Sequence, residues 1–237
     1  MSPPVIVTRA EPAAADTVLR LKAAGYEAIL SPALTLESLP EAELDMTGIR
    51  HLIFTSANGA RYFAERGGMD GATVWCVGEA TAGAVREEGG KDVREGGGNA
   101  ADLAAMIIAA PEARTGGLLH VANEAAAGDL VAMLIRAGLD ARFTALYRTV
   151  PVRSLAPAAL AALNAAVRSF VLIHSAKGAA AFCDAAKGVD LSRVVFVAIS
   201  EAASRPLAGC GARATVNAAR PNETALIDAL DTAMLAL

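Results

Sequence analysis

One passage of this chain is written twice. Leu52-Ile53-Phe54-Thr55-Ser56-Ala57-Asn58-Gly59-Ala60 returns 119 residues later as Val171-Leu172-Ile173-His174-Ser175-Ala176-Lys177-Gly178-Ala179. Val77-Gly78-Glu79-Ala80 returns after 122 residues as Ile199-Ser200-Glu201-Ala202, and Gly89 returns as Gly211 at the same spacing. Asp16, Leu21 and Gly25 match Asp129, Leu134 and Gly138 at a spacing of 113. Three echoes in one order, with little drift, mean two copies of a single α/β unit. Two similar lobes predict a cleft between them, where small molecules bind.

The strand and helix patterns agree with that reading. Val5-Ile6-Val7, Leu52-Ile53-Phe54, Val74 to Val77, Leu118 to Ala122, Phe170 to Ile173 and Val194 to Ile199 are short apolar runs suited to buried parallel strands. Helical stretches with an apolar stripe separate them, and Gly25 and Gly89 stand where helices stop. Gly96-Gly97-Gly98 reads as a flexible connection, with Asn99 capping the helix that follows. Strand and helix in alternation mean α/β with parallel sheets. The extended segments Tyr26–Leu36 and Arg142–Arg153 are equivalent in the repeat, and each follows only one βα unit. If both cross between lobes, one lobe is built from the two chain ends and the other from the middle.

Composition narrows the function. The 237 residues suit two domains of ordinary size, and 54% of them are apolar. A net charge of −4 argues against nucleic acid, which calls for a basic face. Cys76, Cys183 and Cys210 are odd in number and far apart, without metal-ligand spacing or a disulfide framework, which points to a reducing compartment. No signal peptide opens the chain, and Leu103 to Ala110 is too short to span a bilayer, so a cytoplasmic location with no membrane partner is expected. His51, His120 and His174 are isolated and beside strands, with no metal spacing; core or strand-end roles suit them better. The glycine run lacks the Lys-Ser/Thr ending of a phosphate loop, and Ser56 has no nucleophile-elbow setting.

Val7-Thr8-Arg9, Phe54-Thr55-Ser56-Ala57-Asn58, Val77-Gly78-Glu79-Ala80-Thr81-Ala82, Leu146-Tyr147-Arg148-Thr149 and Ala219-Arg220-Pro221-Asn222-Glu223 occur in that order. As an ordered set they resemble the uroporphyrinogen-III synthase family. The resemblance implies two flavodoxin-like parallel α/β domains joined by a two-stranded linker, with domain 1 made of 1–36 and 152–237 and domain 2 of 37–151. It implies cyclisation and dehydration of hydroxymethylbilane to uroporphyrinogen III, with the last pyrrole ring inverted through a spiro intermediate. The family uses neither metal nor organic cofactor. Without the enzyme the substrate closes to the uninverted isomer, so the protein's task is chiefly to hold the chain in the fold that favours inversion. A monomer making transient contact with the preceding pathway enzyme is expected.

The resemblance marks Tyr147 as the catalytic candidate, hydrogen-bonding the departing hydroxyl; packing on the linker ladder is the other reading. For substrate binding it marks Arg9, Thr55, Ser56, Asn58, Gly78, Glu79, Thr81, Ser175, Lys177 and Ser200. Gly78 and Ser200 each follow a strand and open a helix, where free N–H groups and the helix dipole attract the substrate's carboxylates. Either site also reads as a plain tight turn. Ser56 and Ser175 are contacts for carboxylates or ordinary N-caps. Arg9 grips a carboxylate in bidentate fashion or pairs with Glu11 on the surface. Ser200-Glu201-Ala202-Ala203 departs from the Gly-x-Thr-Thr/Ala of many relatives, so no threonine hydroxyl acts there. That departure also leaves open an inactive family member, and a two-lobed cytoplasmic binding protein is the rival from another class.

Overall fold

Apolar strands flanked by amphipathic helices form two sheets, one in each of two compact units. The computed structural model describes residues 3–11, 13–126, 129–165 and 167–236. The chain opens with β1 (Val5–Val7), α1 (Ala13–Ala23), β2 (Ala28–Leu30) and β3 (Leu34–Ser38). It continues through β4 (Ile49–Phe54), α2 (Ala57–Ala64), β5 (Thr73–Cys76), α3 (Glu79–Glu87), β6 (Asp92–Glu95) and α4 (Ala100–Ala109). Then come β7 (Gly117–Asn123), α5 (Asp129–Arg136), β8 (Ala141–Pro151), α6 (Pro157–Asn164), β9 (Ser169–Ile173) and α7 (Ala176–Ala185). The last elements are β10 (Val194–Ala198), α8 (Glu201–Ser204), β11 (Ala214–Asn217) and α9 (Glu223–Ala236).

Unit 1 is Met1–Thr35 with Val150–Leu237, and unit 2 is Leu36–Thr149. The chain passes between them twice, within β3 and near the end of β8. These two strands are neighbours in one sheet. Leu39 N–H donates to the Leu146 carbonyl and Val152 N–H to the Ala33 carbonyl. The partner numbers fall on one strand as they rise on the other, so the two linker strands run antiparallel.

The unit 1 sheet has the order β11-β10-β9-β1-β2, and its neighbouring strands pair in parallel. That is the flavodoxin order, 2-1-3-4-5. The unit 2 sheet is β3-β8-β7-β4-β5-β6. Without the linker strand β3, it has the same spatial order entered at a different strand: β7 and β8 stand where β1 and β2 do, and β4, β5, β6 where β9, β10, β11 do. The repeat spacings predict this correspondence, because β1 echoes β7 while β4 echoes β9.

Successive residues of a strand face opposite sides of its sheet. Ile6, Val171, Ile173 and Phe196 pack with α6 and α7 on one face of the unit 1 sheet, and Val5, Val7, Leu172 and Val197 pack with α1 and α9 on the other. In unit 2, Leu52, Phe54 and Val74 pack with α2 and α3, while Ile53, Trp75 and Leu118 pack with α4 and α5. Strands covered on both faces must be apolar throughout, which is why β1, β9 and β10 contain no exposed residue.

Two expectations need correction. Cys183 on α7 and Cys210 beyond α8 form a disulfide across 27 residues of sequence. The cysteines therefore no longer argue for a reducing compartment. Sequence spacing hides the pair because the turn after α8 folds back onto α7, and only Cys76 is free, buried, with its thiol pushed up to about 12 by burial. The glycine run is also no loose connection. Gly96 N–H donates to the Cys76 carbonyl and Gly98 N–H to the Val77 carbonyl, pinning the loop to the end of β5.

Candidate functional site

In an open α/β sheet the ligand crevice lies at the carboxyl ends of the strands, where the strand order reverses. In unit 1 that point falls between β1 and β9; in unit 2 it falls between β7 and β4. The repeated motif Thr55-Ser56-Ala57 or His174-Ser175-Ala176 follows β4 in one unit and β9 in the other, so both copies sit at a switch point.

Unit 2 builds its edge from hydroxyls and backbone. Ser56 is the N-cap of α2 and accepts from Asn58 N–H at 3.2 Å. Thr55 Oγ1 lies 3.0 Å from His120 Nε2 on the adjacent strand. Gly59 is required here, because a Cβ would lie 2.8 Å from the Val121 carbonyl oxygen. Tyr147 sits beside Asn123 in the β7–β8 register and is buried, its ring stacked on Tyr62 with centroids 4.7 Å apart. Its hydroxyl is hydrogen-bonded to the Ser56 side chain and the Asn123 backbone. Burial raises the phenol above its ordinary value and these hydrogen bonds work against that, so the group is a protonated donor at neutral pH.

The next strand end carries Gly78, the N-cap of α3. Its backbone is fully extended, so any residue suits its dihedrals. A Cβ there would lie 3.5 Å from Gly98 Cα, in ordinary van der Waals contact with the glycine loop that borders this turn. Glu79 is exposed in the first turn of α3, and Thr81 is buried with its amide donating to the Gly78 carbonyl.

Unit 1 builds the equivalent edge from charges. Ser175 caps α7, accepting from Gly178 N–H at 3.0 Å, and Lys177 is exposed in the first turn. Ser200 caps α8 through Ala203 N–H at 3.2 Å, but that helix has only four residues. Thr8 Oγ1 donates to the Leu172 carbonyl at 2.6 Å, joining β1 to β9. Arg9 does not pair with Glu11, whose carboxylate accepts from Ala15 N–H. Its partner is Glu223 at the start of α9, at 3.3 Å, and its side chain remains 40% exposed. Glu223 also accepts from Thr17 Oγ1 at 2.6 Å and lies 3.2 Å from His174 Nε2. Burial works to raise the Glu223 carboxyl, but hydrogen bonds with His174 and Thr17 and the charges of His174 and Arg9 outweigh it. The group is held at about 2.

Sequence reasoning set His120 and His174 apart from the site. The structure puts both at the switch points, and each has a buried Nδ1 with no hydrogen-bond partner among the described residues. His120 is pushed down to about 4 by burial and is neutral at pH 7. Glu223, Asn123, Tyr62 and the Gly96–Gly98 loop were missed as neighbours of the site. A signal for Glu223 was present, since it closes the Ala219–Glu223 motif. A cavity of about 640 Å³ in unit 2 lies elsewhere, along Leu39, Glu43, Thr144 and Arg148, and is lined by none of the candidate residues.

Among protein-family models, that of uroporphyrinogen-III synthase HemD matches residues 15–228, from within α1 to within α9. The chain belongs to the uroporphyrinogen-III synthase family. The unit 2 switch point lies within the matched span, as does β9 of unit 1, while β1 and Arg9 precede it. Uroporphyrinogen-III synthetase from Helicobacter pylori superposes with a TM-score of 0.62 at 17% identity, covering 98% of this chain and 100% of that one. A uroporphyrinogen III synthase from Thermus thermophilus gives 0.46 at 15% identity, covering 98% of each chain. At 17% identity the likeness to the Helicobacter pylori protein is one of fold. No curated protein matches the chain in sequence. The family is one of lyases in haem biosynthesis, and no described helix is long and apolar enough to cross a membrane.

Proposed function

We propose that this chain closes hydroxymethylbilane to uroporphyrinogen III. The observation that carries the reading is the family match over residues 15–228, which takes in the unit 2 edge and all of the unit 1 edge but Thr8 and Arg9. In the reaction, the C–O bond of the hydroxymethyl group breaks with its electron pair leaving on oxygen. A proton delivered to that oxygen makes the leaving group water. The last pyrrole ring attacks the carbocation through its substituted carbon to give the spiro intermediate. The older carbon–carbon bond at that carbon breaks and re-forms at the ring's free α-carbon, and the proton lost from that α-carbon balances the one delivered. Tyr147 is the proposed hydrogen-bond donor to the departing hydroxyl, held in place by Ser56 and the Asn123 backbone.

The substrate's carboxylates are met by first-turn amides of α2, α3 and α7, where N–H groups lack helical partners. Thr55, Ser56, Asn58, Ser175, Ser200, Lys177 and the exposed part of Arg9 supply side-chain donors. Gly78 gives access to the α3 turn, which Thr81 shapes and to which Glu79 contributes its amide; the Glu79 carboxylate itself repels an anion. We read the domains as 1–36 with 152–237, and 37–151. The reading puts the reaction in the cytoplasm on a monomer. Because the free substrate closes to the wrong isomer, transient contact with the enzyme that makes it shortens the exposure.

The test is to feed the protein freshly generated hydroxymethylbilane and resolve the isomers formed. Isomer III is expected to dominate, unchanged by a chelator. Isomer I alone would overturn the reading.

A further inference from the structure

At the opposite end of the unit 1 sheet, three arginines converge. Arg168, Arg193 and Arg213 stand immediately before β9, β10 and β11, which are adjacent parallel strands. Ser169 N–H donates to the Arg193 carbonyl and Arg213 N–H to the Val194 carbonyl, so the three strand starts are held together by backbone. The three side chains line a cavity of about 210 Å³, and no other described residue lines it. Among the described residues, none of the three forms an ion pair within 4.0 Å. Asp190 feels the charge of Arg193, but it is exposed and its Oδ1 accepts from Ser192 N–H at 2.9 Å.

The fold does not require these cations. The repeat spacings put Ile49, Gly71 and Lys91 at the equivalent positions in unit 2, and Lys91 is neutralised by Asp70 at 2.9 Å. The chain as a whole is acidic, with a net charge of −4. Three like charges around one small cavity repel one another. A ligand of opposite charge turns that cost into binding. Guanidinium groups present planar forks that match the oxygens of phosphate and carboxylate. The cavity is below the roughly 300 Å³ at which pockets begin to hold drug-sized ligands, so the occupant is small.

We propose that the amino edge of the unit 1 sheet binds a compact multivalent oxyanion, a phosphate or a di- or tricarboxylate, separately from the carboxyl edge. Five-residue strands set the two edges about 16 Å apart, so an anion here leaves the candidate site open. The proposal does not depend on the synthase reading.

The test measures binding by calorimetry, with pyrophosphate and citrate as probes at ionic strength matched by sodium chloride. Wild type is expected to bind one anion saturably, and the tighter probe identifies the source. Arg193→Gln and Arg213→Gln should each weaken binding about tenfold. The triple change with Arg168→Gln should abolish it while the protein without anion melts no lower than wild type. Arg193→Lys with Arg213→Lys, which keeps the charge without the fork, should fall between. Absence of saturable binding in wild type, or equal affinity in the triple variant, overturns the proposal.

Discussion

The two units share a strand order and a capping serine, yet their carboxyl edges differ in kind. Unit 2 offers neutral donors: Tyr147 and Ser56 joined by a hydrogen bond, Thr55 on a neutral His120, and the open turn at Gly78. Unit 1 offers an ionic cluster in which Glu223 gathers Arg9, Thr17 and His174. The repeat makes the contrast instructive, because position 55 and position 174 are the same place in the fold. A threonine there accommodates a buried histidine from the next strand, whereas a histidine there calls for a carboxylate. We infer that unit 2 carries proton donation to the leaving group and neutral backbone donors for carboxylates, and that unit 1 carries the ionic contacts.

The sharpest way to break this division is Tyr147→Phe. Loss of the hydroxyl should cut turnover on the order of 10- to 1000-fold. It also leaves Ser56 and the Asn123 backbone short of a partner, which costs about 1 kcal/mol and lowers the melting temperature by roughly 2–4 °C. Turnover equal to wild type, measured on fresh hydroxymethylbilane, would move the chemistry out of unit 2.

Acid separates the two edges next. His120 is depressed in the folded state, so the unfolded chain takes up its proton first. Stability in unit 2 should fall as pH drops from about 6.5 towards 4. Glu223 is depressed as well, and its contribution, present above about 4.5, is lost as pH falls towards 2. Glu223→Gln should therefore cost roughly 2 kcal/mol at neutral pH, with the difference from wild type closing only below pH 4.5. His120→Gln should flatten the upper window alone. Denaturant melts across pH read both, and a single shared window would contradict the contrast.

Gly78→Val probes backbone recognition. Its branched side chain would extend beyond the Cβ that already touches the Gly98 loop and cover the α3 turn. The Michaelis constant should rise about tenfold or more with a smaller change in turnover. The smallest effects belong to the caps. Ser175→Ala should cost about 1 kcal/mol of stability, and Ser56→Ala should add a loss of turnover that Ser175→Ala lacks, because Ser56, unlike Ser175, is a partner of Tyr147. Equal kinetics for the two serine variants would make the edges interchangeable.

Much of this was legible before any coordinates. Alternating apolar strands and helices specified parallel α/β units, and the spacings 113, 119 and 122 specified two copies and their correspondence. The ordered motifs marked the strand ends that became the switch points. Apolar periodicity and capping residues act between neighbours in sequence, so the sequence alone determines them. Tertiary structure decided the rest. Glu223 meets Arg9 across 214 residues and Cys183 meets Cys210 across 27. Tyr147 reaches Ser56 only because β8, β7 and β4 lie side by side. Partners of that sort are chosen by sheet order and burial, which remove water and leave each polar group to the nearest one of fitting charge.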